Sequence, residues 1–340
     1  MEIFVNSSSC ISVQDSFRGN CYPVAEYTGT ELPCIEPEYN ALLNPKTTRR
    51  MSRVIKIAMA AALDALKKAN TPEIDGIITG TGLGCLDDTG NFLLKLSDNN
   101  NRLMNPTAFI QSTHNTVGSQ IALHLGNKGY NCTHSHLDFS FEYAFQDALL
   151  LLKNNEVSNL LVGSYDELTP HLSILLRRLQ YTRQQPVKNT ELFKALSPGT
   201  IAGEGCSYFV LSTMHAQNSL ARISDFQMLY KPTSKQLNQI CLAINENFKN
   251  SVAIIGKNGY PTYDSQYLEF ETLCNNMPIF NYKHLSGSFP TSAGFAVWLA
   301  LEIINMKKVP FYIDRNKKIE HVYIYHCNNN YHSLMRFDKC

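Results

Sequence analysis

Charge is scarce in this chain of 340 residues: 17% are charged, and thirty basic against twenty-nine acidic residues leave a net charge of +1. No basic block occurs, so the electrostatic footprint of a nucleic-acid binder is missing. CxxC pairs are also missing, although there are ten cysteines. Scattered in a chain of this length, they read as reduced, mostly buried thiols of a cytosolic protein. No apolar run approaches a membrane span. The first residues, "MEIFVNSSSCISVQDSF", lack a basic stretch followed by an apolar one, so no signal peptide is expected and the expected localisation is cytoplasmic. No Pro/Gly/Ser-rich linker divides the chain, so its parts are expected to share one core. A nearly neutral surface of low charge density suits a partner subunit better than a highly soluble monomer.

Against these absences stands an alternation of strand-like and helix-like segments along almost the whole length. "MSRVIKIAMAAALDALKKAN" (51–70) carries apolar residues at helical spacing, with lysines near its end. "IDGIITGTGLG" (74–84) is a buried strand running into a Gly-rich turn, and "VGSQIALHLG" (117–126) is a short helix stopped by Gly126. A strand within 131–138 is followed by the long apolar helix of "FSFEYAFQDALLLLKNNE". "SNLLVGSYDELTP" and "CSYFVLST" are further strands. The second half repeats the pattern: a helix capped by Thr233 or Ser234, a strand in "SVAIIGKNGYPTYD", a helix over 291–308 buried on much of its surface, and two strands in "HVYIYHCNNNYHSLMRF". This order predicts a layered α/β architecture.

Several stretches invite a chemical reading. "GTGLG" (80–84) is not a dinucleotide fingerprint, because its third glycine is misplaced and no helix starts at the right point. In "NCTHSHLDFSFEYA" (131–144), His134, His136 and Asp138 are spaced by two, so on an extended strand they share one face. "THSHLD" resembles the start of a metallo-β-lactamase-type zinc motif, but the histidine that should follow the aspartate is Phe139, and neither His171 nor His215 has the Gly-rich setting of later ligands. No metal and no cofactor are expected. A serine hydrolase is weakly supported too: there is no G-x-S-x-G, and Ser140 falls inside the following helix. Cys206 opens an apolar strand and reads as core.

Taken together, "MSRVIKIAMAAALDAL", "GIITGTGLGCLDDT", "NTVGSQIALHLGNKGYN", "VGSYDELTP", "PGTIAGEGCSYFVL" and "KHLSGSFPTSAGFAVWLAL" resemble, in order, the segments of the β-ketoacyl synthase family of the thiolase fold. The resemblance implies two similar βαβαβ halves, residues 1–213 and 214–340, forming one compact unit with a layered α-β-α-β-α core. It also implies three catalytic positions. The family's nucleophilic cysteine, held at a helix N-terminus where dipole and N–H groups favour a thiolate, falls on Asp138. Its two histidines fall on Asn258 in "NGYPT" and Ser288 in "SGSFP", while its lysine is kept as Lys283. The Gly-rich turn that normally helps close the oxyanion hole reads "CNNNYHS". Other pocket candidates are His114, His136, Phe139 and Cys327.

A carboxylate is a poor replacement for the thiol, since attack on a thioester would form a high-energy anhydride. At a helix N-terminus Asp138 is instead expected to cap the exposed N–H groups and stopper the oxyanion hole. The resemblance thus implies a chain-length-factor-like subunit without the Cys-His-His set, pairing as a heterodimer with an active ketosynthase and guiding elongation on an acyl carrier protein. "HNTVGSQIALHLG…FSFE" is similar to synthase-like proteins of aryl-polyene and flexirubin-type clusters. The alternative is an enzyme with altered chemistry, a malonyl-carrier decarboxylase or acyltransferase using Asp138 with His114 or His136.

Overall fold

Apolar side chains occupy both faces of most strands, which requires cover on both sides of the sheet. The computed structural model describes residues 1–19, 23–49, 51–71, 73–98, 106–194, 197–246, 249–305 and 318–340. Ten strands form its main sheet: β1 (Ile3–Ile11), β2 (Gly76–Gly80), β3 (Tyr130–His134), β4 (Asn159–Asp166), β5 (Gly205–Ser212), β6 (Ala221–Tyr230), β7 (Ser251–Ile255), β8 (Ile279–Asn281), β9 (His321–Asn328) and β10 (Tyr331–Asp338). Their order across the sheet is β8-β7-β9-β10-β6-β1-β5-β4-β2-β3. The first five strands and the last five therefore follow the same path. In each half the third strand lies at the outer edge, the second and fourth run parallel beside it, and the fifth lies antiparallel between the fourth and the first. The halves join along β1 and β6, where Ile3, Phe4 and Val5 pair with Ile223, Arg222 and Ala221.

The helices follow the same duplication. α1 (Arg53–Ala69) lies between the first two strands and α6 (Ser234–Glu246) between their counterparts; α4 (Ser140–Lys153) follows β3 as α7 (Ala293–Ile304) follows β8. Three further helices, α2 (Leu86–Asp98), α3 (Thr116–Leu125) and α5 (Pro170–Arg178), belong to the first half. Period-two alternation sorts the strand side chains into layers. Ile77, Leu161 and Val210 pack outward under α1 and α3, while Ile78, Leu160, Val162 and Leu211 turn inward against α4 and α7. In the second half Val252, Ile254 and Ile324 turn inward to the same middle layer, and Ala253, Ile255 and Tyr325 outward to Cys241, Ile244 and Phe270 of the covering helices. This is the expected α-β-α-β-α stack. α7 is apolar except for Glu302, and all 12 of its residues are buried, as a helix covered from two sides demands.

Helix ends follow local chemistry. α1 stops at Asn70 and α3 at Gly126, both with left-handed backbones (φ 51° and 64°). Thr233 caps α6 in a reciprocal box, its Oγ1 accepting from the Gln236 N–H at 3.3 Å while Gln236 Oε1 accepts from the Thr233 N–H at 2.8 Å. The expected helix over 291–308 is shorter, Ala293–Ile304, with residues 306–308 outside the described set. No helix among the described residues is long and apolar enough to cross a membrane.

Two buried carboxylates tie the sequence motifs together. Arg53, from "MSR", grips Glu204, from "GEG", through two bonds of 2.7 and 2.6 Å, and Glu204 also accepts from the Cys34 and Leu168 N–H groups. Asp166, from "SYDE", accepts from the Thr81 hydroxyl and the Gly82 and Leu83 N–H groups through Oδ1, and from the Thr291 N–H and hydroxyl through Oδ2, all at 2.8–3.2 Å. It thereby fastens the Gly-rich turn after β2 to the segment leading into α7. Burial pushes its carboxyl up to about 6, and its five donors oppose that rise. Asp166→Ala is expected to strand those donors and destabilise the fold by roughly 3–5 kcal/mol in urea titration. Asp166→Asn should not restore it, because its amide NH2 would face donors; a loss under 1 kcal/mol for either variant would contradict this role.

Candidate functional site

The starts of α4 and α7, related by the duplicated topology, approach each other at one end of the middle layer. Gly82, in the turn after β2, packs against the ring of Pro290, where a Cβ would come within 2.3 Å. β3 ends at His134, and the chain turns through Leu137–Phe139 before α4 begins. Leu137 holds a left-handed backbone (φ 44°), an uncommon conformation for a branched side chain, directly before Asp138. The three residues His134, His136 and Asp138 consequently do not share a strand face. His134 turns to Asp147 on α4, 2.9 Å away; His136 is exposed, its ring against Tyr143 and Tyr331; Asp138 enters the turn.

Asp138 does not cap the helix in the expected way. Its Oδ2 accepts a hydrogen bond from Asn328 Nδ2, at the end of β9 where the chain turns into β10. The elbow is closed by Ser140, whose Oγ accepts from the His136 N–H at 2.8 Å and donates to the Leu137 carbonyl at 2.7 Å. The reason is steric: the turn at Leu137–Phe139 carries the carboxylate away from the helix axis and towards "CNNN". That turn does contribute to the site, through a side-chain amide.

Ser288 and Asn258 lie on the opposite side. Gly287 (φ 73°) allows its segment to lie directly on Gly203, where a Cβ on Gly287 would fall 2.5 Å from the Gly203 Cα. Ser288 thereby pairs with Ala202, its N–H donating to the Ile201 carbonyl at 2.8 Å. Asn258 follows β7, its N–H donating to Asp264 at 2.7 Å and its carbonyl accepting from Thr200 Oγ1 at 2.6 Å. The Tyr181 hydroxyl stands between them, 3.1 Å from Ser288 Oγ and facing the Asn258 side chain, whose Nδ2 is buried without a hydrogen-bond partner.

Lys283 is buried on the short helix before Ser288, its Nζ 3.4 Å from the Tyr263 hydroxyl and 5.0 Å from that ring's centre. Burial lowers its pKa below the ordinary lysine value, and the negative charges of Asp138 and Asp264 pull it back up. Burial and then Asp138 push the Tyr181 hydroxyl up to about 12, and the same two causes raise Tyr263. Both phenols therefore stay protonated at neutral pH. Beyond Tyr263 lies His326, with Nε2 3.4 Å from the hydroxyl, Nδ1 2.7 Å from buried Glu142, and its ring stacked on Phe139 at 4.8 Å. Cys327, next in sequence, is buried; its Sγ donates to the Gln266 carbonyl at 3.6 Å, and burial pushes it up to about 12, so it is a thiol and not a thiolate. His114 is exposed before α3, its ring against Gly84.

The structure thus gathers Asp138, Lys283, Asn258 and Ser288 around two tyrosines, and leaves His114 and His136 at the surface. Sequence reasoning missed Tyr181, Tyr263 and His326, and it gave Glu142, the last residue of "FSFE", no role. The arrangement offers amide, phenol and ammonium donors and one carboxylate, a set that can hold a carbonyl or carboxylate. No thiol among the described residues stands at the start of α4.

A family model described as "Beta-ketoacyl synthase, N-terminal domain" matches residues 23–216. The chain belongs to the β-ketoacyl synthase family. Solved structures agree on the fold. A β-ketoacyl synthase from Burkholderia phymatum STM815 superposes with a TM-score of 0.78 at 17% identity. A chain of AntDE:AntF, a type II PKS acyl-carrier protein in complex with its ketosynthase bound to the hexaketide, gives 0.76 at 16%, and the ishigamide ketosynthase/chain length factor gives 0.74 at 16%. Each covers 100% of this chain and 99% of the other. No curated protein matches the sequence.

His284, beside Lys283, supplies a pH test of this region. It is buried, its Nδ1 lacks a partner, and burial holds its pKa down at about 4. Unfolded histidine titrates near about 6.5, so as pH falls from there to about 4 the unfolded chain takes up a proton that the folded chain refuses. Stability is expected to be unaffected by this group above pH 6.5, to fall by roughly 1.4 kcal/mol per unit below it, and to level off below about pH 4. His284→Gln should flatten that part of the profile in urea titrations; an unchanged slope would reassign the loss to other groups.

Proposed function

We propose that this chain is a synthase-like subunit that does not itself condense acyl groups and acts as a chain-length-factor-like partner of an active ketosynthase. In this reading residues 1–213 and 214–340 are the two halves of one unit. Asp138, Asn258 and Ser288 occupy the positions that the family gives to cysteine and two histidines. The observation that supports the reading is the turn before α4, where the side chain of Asp138 is a carboxylate bonded to Asn328. A carboxylate already engaged by an amide is a still weaker nucleophile, and Asn258 and Ser288 cannot shuttle protons as imidazoles do.

The surface supports a partnered role. Leu93, Leu94, Phe109, Ile110, Leu123 and Leu175 are all exposed, on α2, the short helix Pro106–Gln111, α3 and α5 of the first half. An apolar groove of about 450 Å³ runs between α2 and α5, and β3 leaves one edge of the sheet open nearby. That surface fits a ketosynthase subunit, and an acyl carrier protein would present the growing chain to the pair in the cytoplasm. The similarity of "HNTVGSQIALHLG…FSFE" to aryl-polyene and flexirubin-type proteins narrows the product class to a polyene.

Intact-protein mass spectrometry with malonyl-loaded acyl carrier protein tests the proposal. The chain alone should form no adduct and release no carbon dioxide, while adding it to a candidate synthase should change product length. Decarboxylation or acylation by the chain alone, abolished by Asp138→Ala, would instead make it an enzyme acting through Asp138.

A further inference from the structure

The zinc motif suggested by "THSHLD" does not assemble, but a different set of donors does. On β3, Tyr130, Cys132 and His134 alternate onto the face that packs against α4, while Asn131 and Thr133 point the other way, to Gly118 and Thr79. Asp147, on α4, meets the first group. His134 Nε2 lies 2.9 Å from Asp147 Oδ2 and 3.6 Å from Cys132 Sγ, and the Tyr130 hydroxyl donates to Asp147 Oδ2 at 3.0 Å. The donor atoms of Cys132, His134 and Asp147 all fall within 4.8 Å of one another.

We propose that Cys132, His134 and Asp147 form a binding site for one divalent transition-metal ion of the zinc class, on the helix-covered side of the edge strand. Two of the three donor spacings are close to what such an ion needs, and the third, from the Cys132 sulfur to the Asp147 carboxylate, lies within 4.8 Å. Tetrahedral bonds of about 2.3 Å to sulfur and about 2.0 Å to nitrogen set those two atoms about 3.6 Å apart. The sulfur–nitrogen pair already has that separation, 3.6 Å. The nitrogen–oxygen pair, at 2.9 Å, has to open by only about 0.4 Å.

The donor types select the metal. Thiolate and imidazole with one carboxylate suit zinc or cobalt and disfavour magnesium and calcium, which require oxygen ligands. Two negative ligands balance a divalent charge. All three residues are half-buried, so an ion can reach them while the stems of their side chains stay packed. Three protein ligands leave a fourth position for water or another donor. On binding, the Cys132 thiol gives its proton to solvent as the sulfur–metal bond forms, and His134 binds through Nε2 with its remaining proton on Nδ1. Affinity therefore weakens in acid. The site is separate from Asp138 and does not rest on the chain-length-factor reading.

The test is a titration of the full-length chain, stripped with chelator, by cobalt(II) and then by zinc(II). One equivalent of cobalt per chain is expected, with a sulfur-to-cobalt charge-transfer band that zinc abolishes. Cys132→Ser should remove the band, and His134→Gln should weaken cobalt binding at least tenfold. Cys340→Ser, which alters an exposed thiol elsewhere, should change neither. Absence of a saturable one-equivalent band in the unaltered chain would overturn the proposal, whatever the fate of the variants. Persistence of the band in folded Cys132→Ser, checked by circular dichroism, would overturn it equally.

Discussion

The middle layer constrains everything else in this molecule. α7 is apolar but for Glu302, and α4 carries Phe141, Phe145 and Leu149 into the same core. Neither can be satisfied by one sheet face, so each half of the sheet must cover them from its own side. The duplicated strand path is the simplest way to supply two such faces, and it makes α4 and α7 topological equivalents. Once they lie together, the turns that precede them must meet. The candidate site is therefore a consequence of core packing: Asp138 arrives before one helix, and Lys283 and Ser288 before the other.

Two buried carboxylates convert that packing into fixed geometry. Asp166 binds the Gly-rich turn after β2 to the segment entering α7, and Glu204 binds α1 to the strand on which Ser288 is laid. Each has its oxygens filled by several donors, the condition under which a buried charge is tolerable. Motifs that are recognisable in the sequence, "MSR", "GTG" and "GEG", are thus the halves of hydrogen-bonded joints that hold the site.

That explains what was legible beforehand. Period-two and period-3.6 patterns marked the strands and helices because both faces of the sheet are buried, and ordered motifs marked the family because they are joints. Asp138, Asn258, Ser288 and Lys283 could be proposed from their place in those motifs. Tyr181 and Tyr263 could not: Tyr181 reaches the site from a distant segment, Tyr263 sits on the short helix Pro261–Asp264 just after Asn258, and no local signal separates either from ordinary aromatics. The partner of Asp138 also escaped local reasoning. A helix N-terminus predicts a capping carboxylate, but the left-handed Leu137 redirects Asp138, and the end of β9 supplies the donor from 190 residues away. The shared face of His134, His136 and Asp138 failed for the same cause, because the strand ends before the second of them.

The elbow itself is the most informative remnant. A left-handed leucine costs on the order of 1 kcal/mol or more, and nothing about starting a helix requires it. Here it is held by Ser140, whose hydroxyl bridges the His136 N–H and the Leu137 carbonyl. Here the strain persists while the side chain it presents is a carboxylate held by an amide, beside phenols kept protonated and a buried lysine. Its polar groups bind one another between distant parts of the chain: Asp138 holds Asn328, and Glu142 holds His326. The proposed shaping role rests on that closure, because a carboxylate already engaged by an amide is a weaker nucleophile than a free one.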